Sequence, residues 1–110
     1  MSPSFHEVYW GIMVVYLRIQ GAASLKDRRQ VVRSLVERLR KKWNVSVTDM
    51  GPNDSWTDAG LAIGAVGSSY DSVLSRLEEL RCFIERREED SDFYIVSVKR
   101  EVDRHDSFSY

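Results

Sequence analysis

The chain has 110 residues, with 16 lysines and arginines against 17 aspartates and glutamates, and a formal net charge of -1. A hydrophobic share of 43% with 30% charged residues suits one globular core and excludes a disordered chain; the longest apolar run, Gly11 to Leu17, is too short to cross a bilayer. A single cysteine, Cys82, and histidines near opposite ends, His6 and His105, exclude an internal disulfide and give no metal-ligand spacing, so neither metal nor cofactor is expected.

After a short polar head (residues 1–8), "YWGIMVVYLRI" (9–19) is dense in β-branched and aromatic residues and reads as a strand apolar on both faces, placed inside a sheet. A small-residue turn, "QGAAS", follows. Ser24 with Asp27 three residues later forms a capping-box-like helix start, and the helix is expected to run to about Lys42. Its apolar stripe is Leu25, Val32, Leu35, Val36 and Leu39; the opposite arc is Lys26, Arg29, Arg33, Glu37, Arg40 and Lys41. "WNVSVTDM" (43–50) alternates apolar and polar residues, as a half-exposed edge strand does. "GPNDS" is a turn by composition, and "WTDAGLAIGAVG" (56–67) is a second strand apolar on both faces. A second helix over about 70–87 buries Val73, Leu74, Leu77, Leu80 and Ile84. "FYIVSVKREV" (93–102) is the last strand, and 103–110 a polar tail.

This order predicts an α+β fold, a ferredoxin-like βαββαβ sandwich in one domain over residues 9–102, with two helices on one face of a four-stranded antiparallel sheet. The first and third strands take the centre, because only they are apolar on both faces.

"SLKDRRQVVRSLVERLRKKWNVSV", a tryptophan-bearing third strand and "AIGAVGSSYDSVLSRLEEL" together resemble the YlxP-like family of small uncharacterised bacterial proteins over roughly residues 9–102. The resemblance implies a ferredoxin-like fold and a cytoplasmic bacterial setting, with genes often near those for translation and ribosome maturation. It brings no catalytic residues with it. The head and the tail lie beyond what it covers.

The charge is segregated. Residues 24–43 hold eight Lys or Arg and two acids, net +6, whereas the rest of the chain holds eight basic and fifteen acidic residues, net -7. Such a stripe neutralises several backbone phosphates without reading bases. Structured RNA or a ribosomal subunit is therefore the expected partner of a non-enzymatic protein, with Lys26, Arg28, Arg29, Arg33, Arg40 and Lys41 as phosphate contacts. The competing reading is a solvated helix face interrupted by Glu37. Arg28 stands apart: its position at the edge of the apolar stripe asks for an acidic partner, and Asp49 is a candidate.

Two other readings compete. With Met13, Val15, Leu17 and Ile19 turned to the helices, the open sheet face carries Trp10, Ile12, Val14, Tyr16 and Arg18, joined by Trp56, Asp58, Ala62 and Val66 from the third strand. That face suits a homodimer or protein partner, or base stacking on its aromatic residues. In an acylphosphatase-like reading, the "QG" turn and Arg28 would hold a phosphoryl group while an asparagine orients water. Asn44 stands at the start of the second strand, and Asp27 would repel the anion. Cys82 falls opposite the buried stripe of its helix, which argues against a nucleophile. The chain opens with no basic, apolar leader, so a cytoplasmic location without membrane contact is expected.

Overall fold

The computed structural model describes residues 3–105. Six elements follow one another: β1 (Tyr9–Ile19), α1 (Leu25–Lys42), β2 (Ser46–Asp49), β3 (Asp58–Gly67), α2 (Tyr70–Arg87) and β4 (Phe93–Arg104). They form one four-stranded sheet in the order β2-β3-β1-β4, with β1 antiparallel to both β3 and β4 and β2 antiparallel to β3. This is the βαββαβ fold expected, with the two doubly apolar strands at its centre.

Alternation along β1 sorts its side chains cleanly. Met13, Val15, Leu17 and Ile19 are buried toward the helices, while Ile12, Tyr16 and Arg18 are exposed on the other face. The core closes with Val32, Leu35, Val36 and Leu39 from α1, and with Val73, Leu77, Leu80, Phe83 and Ile84 from α2. Gly11 lets α2 approach the sheet: a Cβ there would lie 2.6 Å from Val73 Cγ1 and 2.9 Å from Leu77 Cδ1.

Both helices start on serine caps. Ser24 Oγ accepts from the Asp27 amide at 3.2 Å, and Asp27 Oδ2 accepts from the Ala23 amide at 2.9 Å, so two otherwise orphaned donors are satisfied reciprocally. Ser69 Oγ accepts from the Ser72 amide in the same way.

Several boundaries differ from expectation. β2 covers only Ser46–Asp49, because Trp43 caps α1 and packs edge-on against Phe83 of α2, its ring centroid 5.1 Å away. β3 begins at Asp58, which leaves Trp56 exposed in the preceding turn rather than on the strand. In α2 Phe83 is buried, whereas Leu74 is only half-buried. β4 runs on to Arg104, so Asp103 and Arg104 belong to the sheet and not to a tail. Residues 106–110 of the tail lie outside the described residues. The head is tied to that extension by the Arg104–Glu7 ion pair at 3.2 Å and by the His105 amide donating to the Val8 carbonyl. No helix among the described residues is long and apolar enough to cross a membrane.

Candidate functional site

The cations of α1 divide into three groups according to what the helix turns them toward. At 3.6 residues per turn, Arg29, Arg40, Arg33 and Lys26 fall in a sector about 60° wide, and Lys41 lies farther round on the outer face. All five are exposed. None of them has a carboxylate within 4.0 Å among the described residues, where the ion pairs involve Arg18, Arg28, Arg81, Arg100 and Arg104 instead. Glu37 sits between the main sector and Lys41, beside the ridge rather than across it.

The ridge borders the free edge of the sheet. Arg40 Nη2 donates to the Val47 carbonyl of edge strand β2 at 2.5 Å, which leaves its other donors toward solvent. That bond also occupies part of an exposed strand edge.

On the other flank of α1 the cations serve the fold. Lys42 Nζ lies 4.9 Å from the Trp43 ring centroid and 5.2 Å from that of Phe83, and the Arg87 guanidinium of α2 is 4.8 Å from the same Phe83 ring. Arg38, also without a carboxylate within 4.0 Å among the described residues, lines a groove of about 510 Å³ between α1 and the α2–β4 connection together with Asp27, Asp90, Asp92 and Arg87.

Arg28 requires a correction to the expected set of phosphate contacts. The residue is 2% exposed, and Nη1 and Nη2 donate to Asp49 Oδ2 and Oδ1 at 3.1 and 3.2 Å. Nε donates to the Asp58 carbonyl at 2.9 Å. The guanidinium is therefore committed to the protein's own acceptors: it rivets the start of α1 to the end of β2 and the start of β3. Burial would raise the Asp49 pKa, but the Arg28 hydrogen bonds, the Gly51 amide at 2.8 Å and the Arg28 charge together hold it below the usual aspartate value.

The same geometry leaves the acylphosphatase-like arrangement unassembled. Arg28 is bound to Asp49, at the far end of β2 from Asn44, and five residues of extended chain span roughly 16 Å. The Asp27 carboxylate already accepts at the helix N-terminus, where an anion would have to sit.

On the uncovered face, Ile12, Tyr16 and Arg18 are exposed as expected, Trp10 is half-buried, and Val66, Tyr94 and Val96 add exposed apolar surface. Arg18 Nε pairs with Asp58 Oδ1 at 3.0 Å. Tyr94 and Val96 of β4 were not singled out by sequence, although their alternation with Phe93 and Ile95 carried the signal.

Residues 10–100 match the family model described as a protein of unknown function, DUF503. The chain belongs to the DUF503 family. A curated relative, "Uncharacterized protein YlxP" of Bacillus subtilis (strain 168), is 34% identical over 67 residues, covering 61% of this chain and 73% of that protein. Among solved structures, the de novo designed protein Foldit4 superposes with a TM-score of 0.52 at 9% identity, covering 89% of this chain and 99% of the design. A NIPSNAP family protein of unknown function from Agrobacterium tumefaciens strain C58 gives a TM-score of 0.49 at 15% identity, over 99% of this chain and 97% of that one. For a DUF503 member, the family model and the Bacillus relative speak to the family and the Foldit4 superposition to the fold, and the chemistry must be argued from the residues above.

Proposed function

We propose that this DUF503 protein is a non-enzymatic cytoplasmic accessory factor that contacts structured RNA, ribosomal RNA foremost, through the ridge Lys26, Arg29, Arg33, Arg40 and Lys41. The observation that carries the reading is that these five cations stand exposed with no carboxylate within 4.0 Å among the described residues, on a chain whose remaining residues together are net negative. A helix face evolved only for solubility is usually laced with i,i+4 pairs of opposite sign. On α2 such bonds form, Arg81 meeting Glu78 (i,i+3) and Glu85 (i,i+4) at 3.3 and 3.0 Å, whereas Glu37, four residues from both Arg33 and Lys41, makes no ion pair within 4.0 Å among the described residues.

The mechanism is electrostatic. Each lysine or arginine displaces counterions from a phosphate and positions the backbone, while recognition of a particular RNA comes from its shape. From Lys26 to Lys41 the ridge runs for about 22 Å of helix. The test is binding of a structured ribosomal RNA fragment at low salt by the wild type and by a Lys26→Glu, Arg29→Glu, Arg33→Glu variant. The reading expects the variant to lose binding by about a hundredfold or more; equal binding overturns it.

A further inference from the structure

The uncovered sheet face places side chains of complementary character on either side of one line. Four strands contribute to it, and their pairing registers share one midline. Ile12 stands opposite Gly64 and Glu101, and Val14 opposite Ala62 and Lys99. On the edge strand, Ser46 pairs with Gly64 and Thr48 with Ala62. A line drawn across the sheet between Ile12 and Val14 therefore also passes between Ala62 and Gly64, between Lys99 and Glu101, and between Ser46 and Thr48.

We propose that two copies of this chain meet through this face, related by a two-fold axis that follows that line midway between the stacked sheets. The operation keeps each strand over its own counterpart and reverses its direction. Lys99 of each copy then faces Glu101 of the other, giving two reciprocal ion pairs. Ile12 packs over Val14, and Ala62 over Gly64. One step farther out, Tyr16 stands opposite Gly60 just as Trp10 stands opposite Val66, so the axis sets Trp10 over Tyr16 and Val66 over Gly60.

The last match is one of shape as well as register. Beside Gly60, over which Met50 lies with its Cε 2.9 Å from where a Cβ would stand, is a depression of about 580 Å³ walled by Tyr16, Met50 and Val96. Val66, 65% exposed, is a projection of the right kind at the symmetry-related position. A knob and a hollow placed symmetrically about one axis are what an isologous contact requires.

The charges favour a second copy over nucleic acid on this face. Arg18 is already paired with Asp58, and beyond them the β4 column offers Lys99 against Glu101 and Asp103, a net negative strip that repels phosphate while complementing itself. The inference does not rest on the RNA reading. The α1 ridge lies with the helices on the opposite side of the sheet and stays accessible in the pair.

Sedimentation at about 100 µM, with titration to the dissociation constant, tests the proposal on the wild type, Lys99→Glu, Glu101→Lys and the double exchange. The expected result is a wild-type dimer, weakened at least about tenfold by either single reversal, which sets like charges face to face, and restored by the double exchange. Far-UV circular dichroism confirms that each variant is folded. A monomeric wild type, single variants that dimerise as well as the wild type, or a double exchange that fails to restore association each overturns it.

Discussion

Arg28 and Asp49 meet where α1 begins and β2 ends, both guanidinium Nη atoms on the two carboxylate oxygens at 3.1 and 3.2 Å, with the arginine side chain 3% exposed and the aspartate 37%. The pair holds the N-terminal turn of α1, and with it the first residues of the cationic ridge, at a fixed height over the sheet. It thus links a structural contact to the surface proposed for RNA.

Replacing Asp49 with Asn leaves a buried guanidinium without its counter-charge. Breaking a fully buried pair costs about 3–5 kcal/mol, and the partial exposure of Asp49 lets water offset part of that, so a loss of about 2 kcal/mol is expected in a urea titration.

The pH dependence follows from the lowered Asp49 pKa. A carboxyl whose folded pKa lies below its unfolded value stabilises the fold fully above about pH 4, and that contribution is lost as pH falls through the lower, folded value. The stability gap between wild type and Asp49→Asn is thus constant from neutral pH down to about pH 5 and closes in the acid range below pH 4. A gap that persists unchanged at about pH 2.5 contradicts the ion-pair account.

Gly11→Ala drives a methyl into Val73 and Leu77, at 2.6 and 2.9 Å, and is expected to destabilise by about 1–3 kcal/mol. Val73→Ala carries its own cavity cost but opens that space. In the double variant the Gly11→Ala step then costs markedly less, a coupling that a thermodynamic cycle on thermal melts will show.

Under the RNA proposal, the ridge of α1 carries charge that binds and the opposite flank charge that does not. Arg38→Glu, on the flank whose groove is also lined by Asp27, Asp90 and Asp92, is expected to leave RNA affinity within about threefold of the wild type, whereas Arg33→Glu on the ridge lowers it by about tenfold or more. Filter binding at fixed salt compares the two. For the wild type, log K against log salt is expected to fall with a slope of about -3.5 to -4.5, matching five neutralised phosphates.

Much of the fold was legible because β1 and β3 are apolar on both faces and α1 begins on a serine cap, features that act within a few residues. The pairing of Arg28 with Asp49 was also visible, since strand alternation and helical spacing send both side chains to one side. What escaped depended on contacts distant in sequence. Trp43 alternates with Val45 and Val47 like a strand residue, yet it leaves the sheet because Phe83 and Glu79 of α2 receive its ring and its indole N–H. Within the proposed site, sequence left Arg38 and Lys42 off the ridge but kept Arg28 among the phosphate contacts; its commitment to Asp49 and to the Asp58 carbonyl is made between residues far apart in the chain.

The most direct measurement is co-sedimentation with ribosomal subunits from cell extract at about 50 mM and about 300 mM monovalent salt. The ridge account predicts that wild-type protein pellets with a subunit at the lower salt and is released at the higher, and that the Lys26→Glu, Arg29→Glu, Arg33→Glu variant stays in the supernatant at both. Wild type and variant pelleting alike, or wild type remaining in the supernatant at the lower salt, contradicts it.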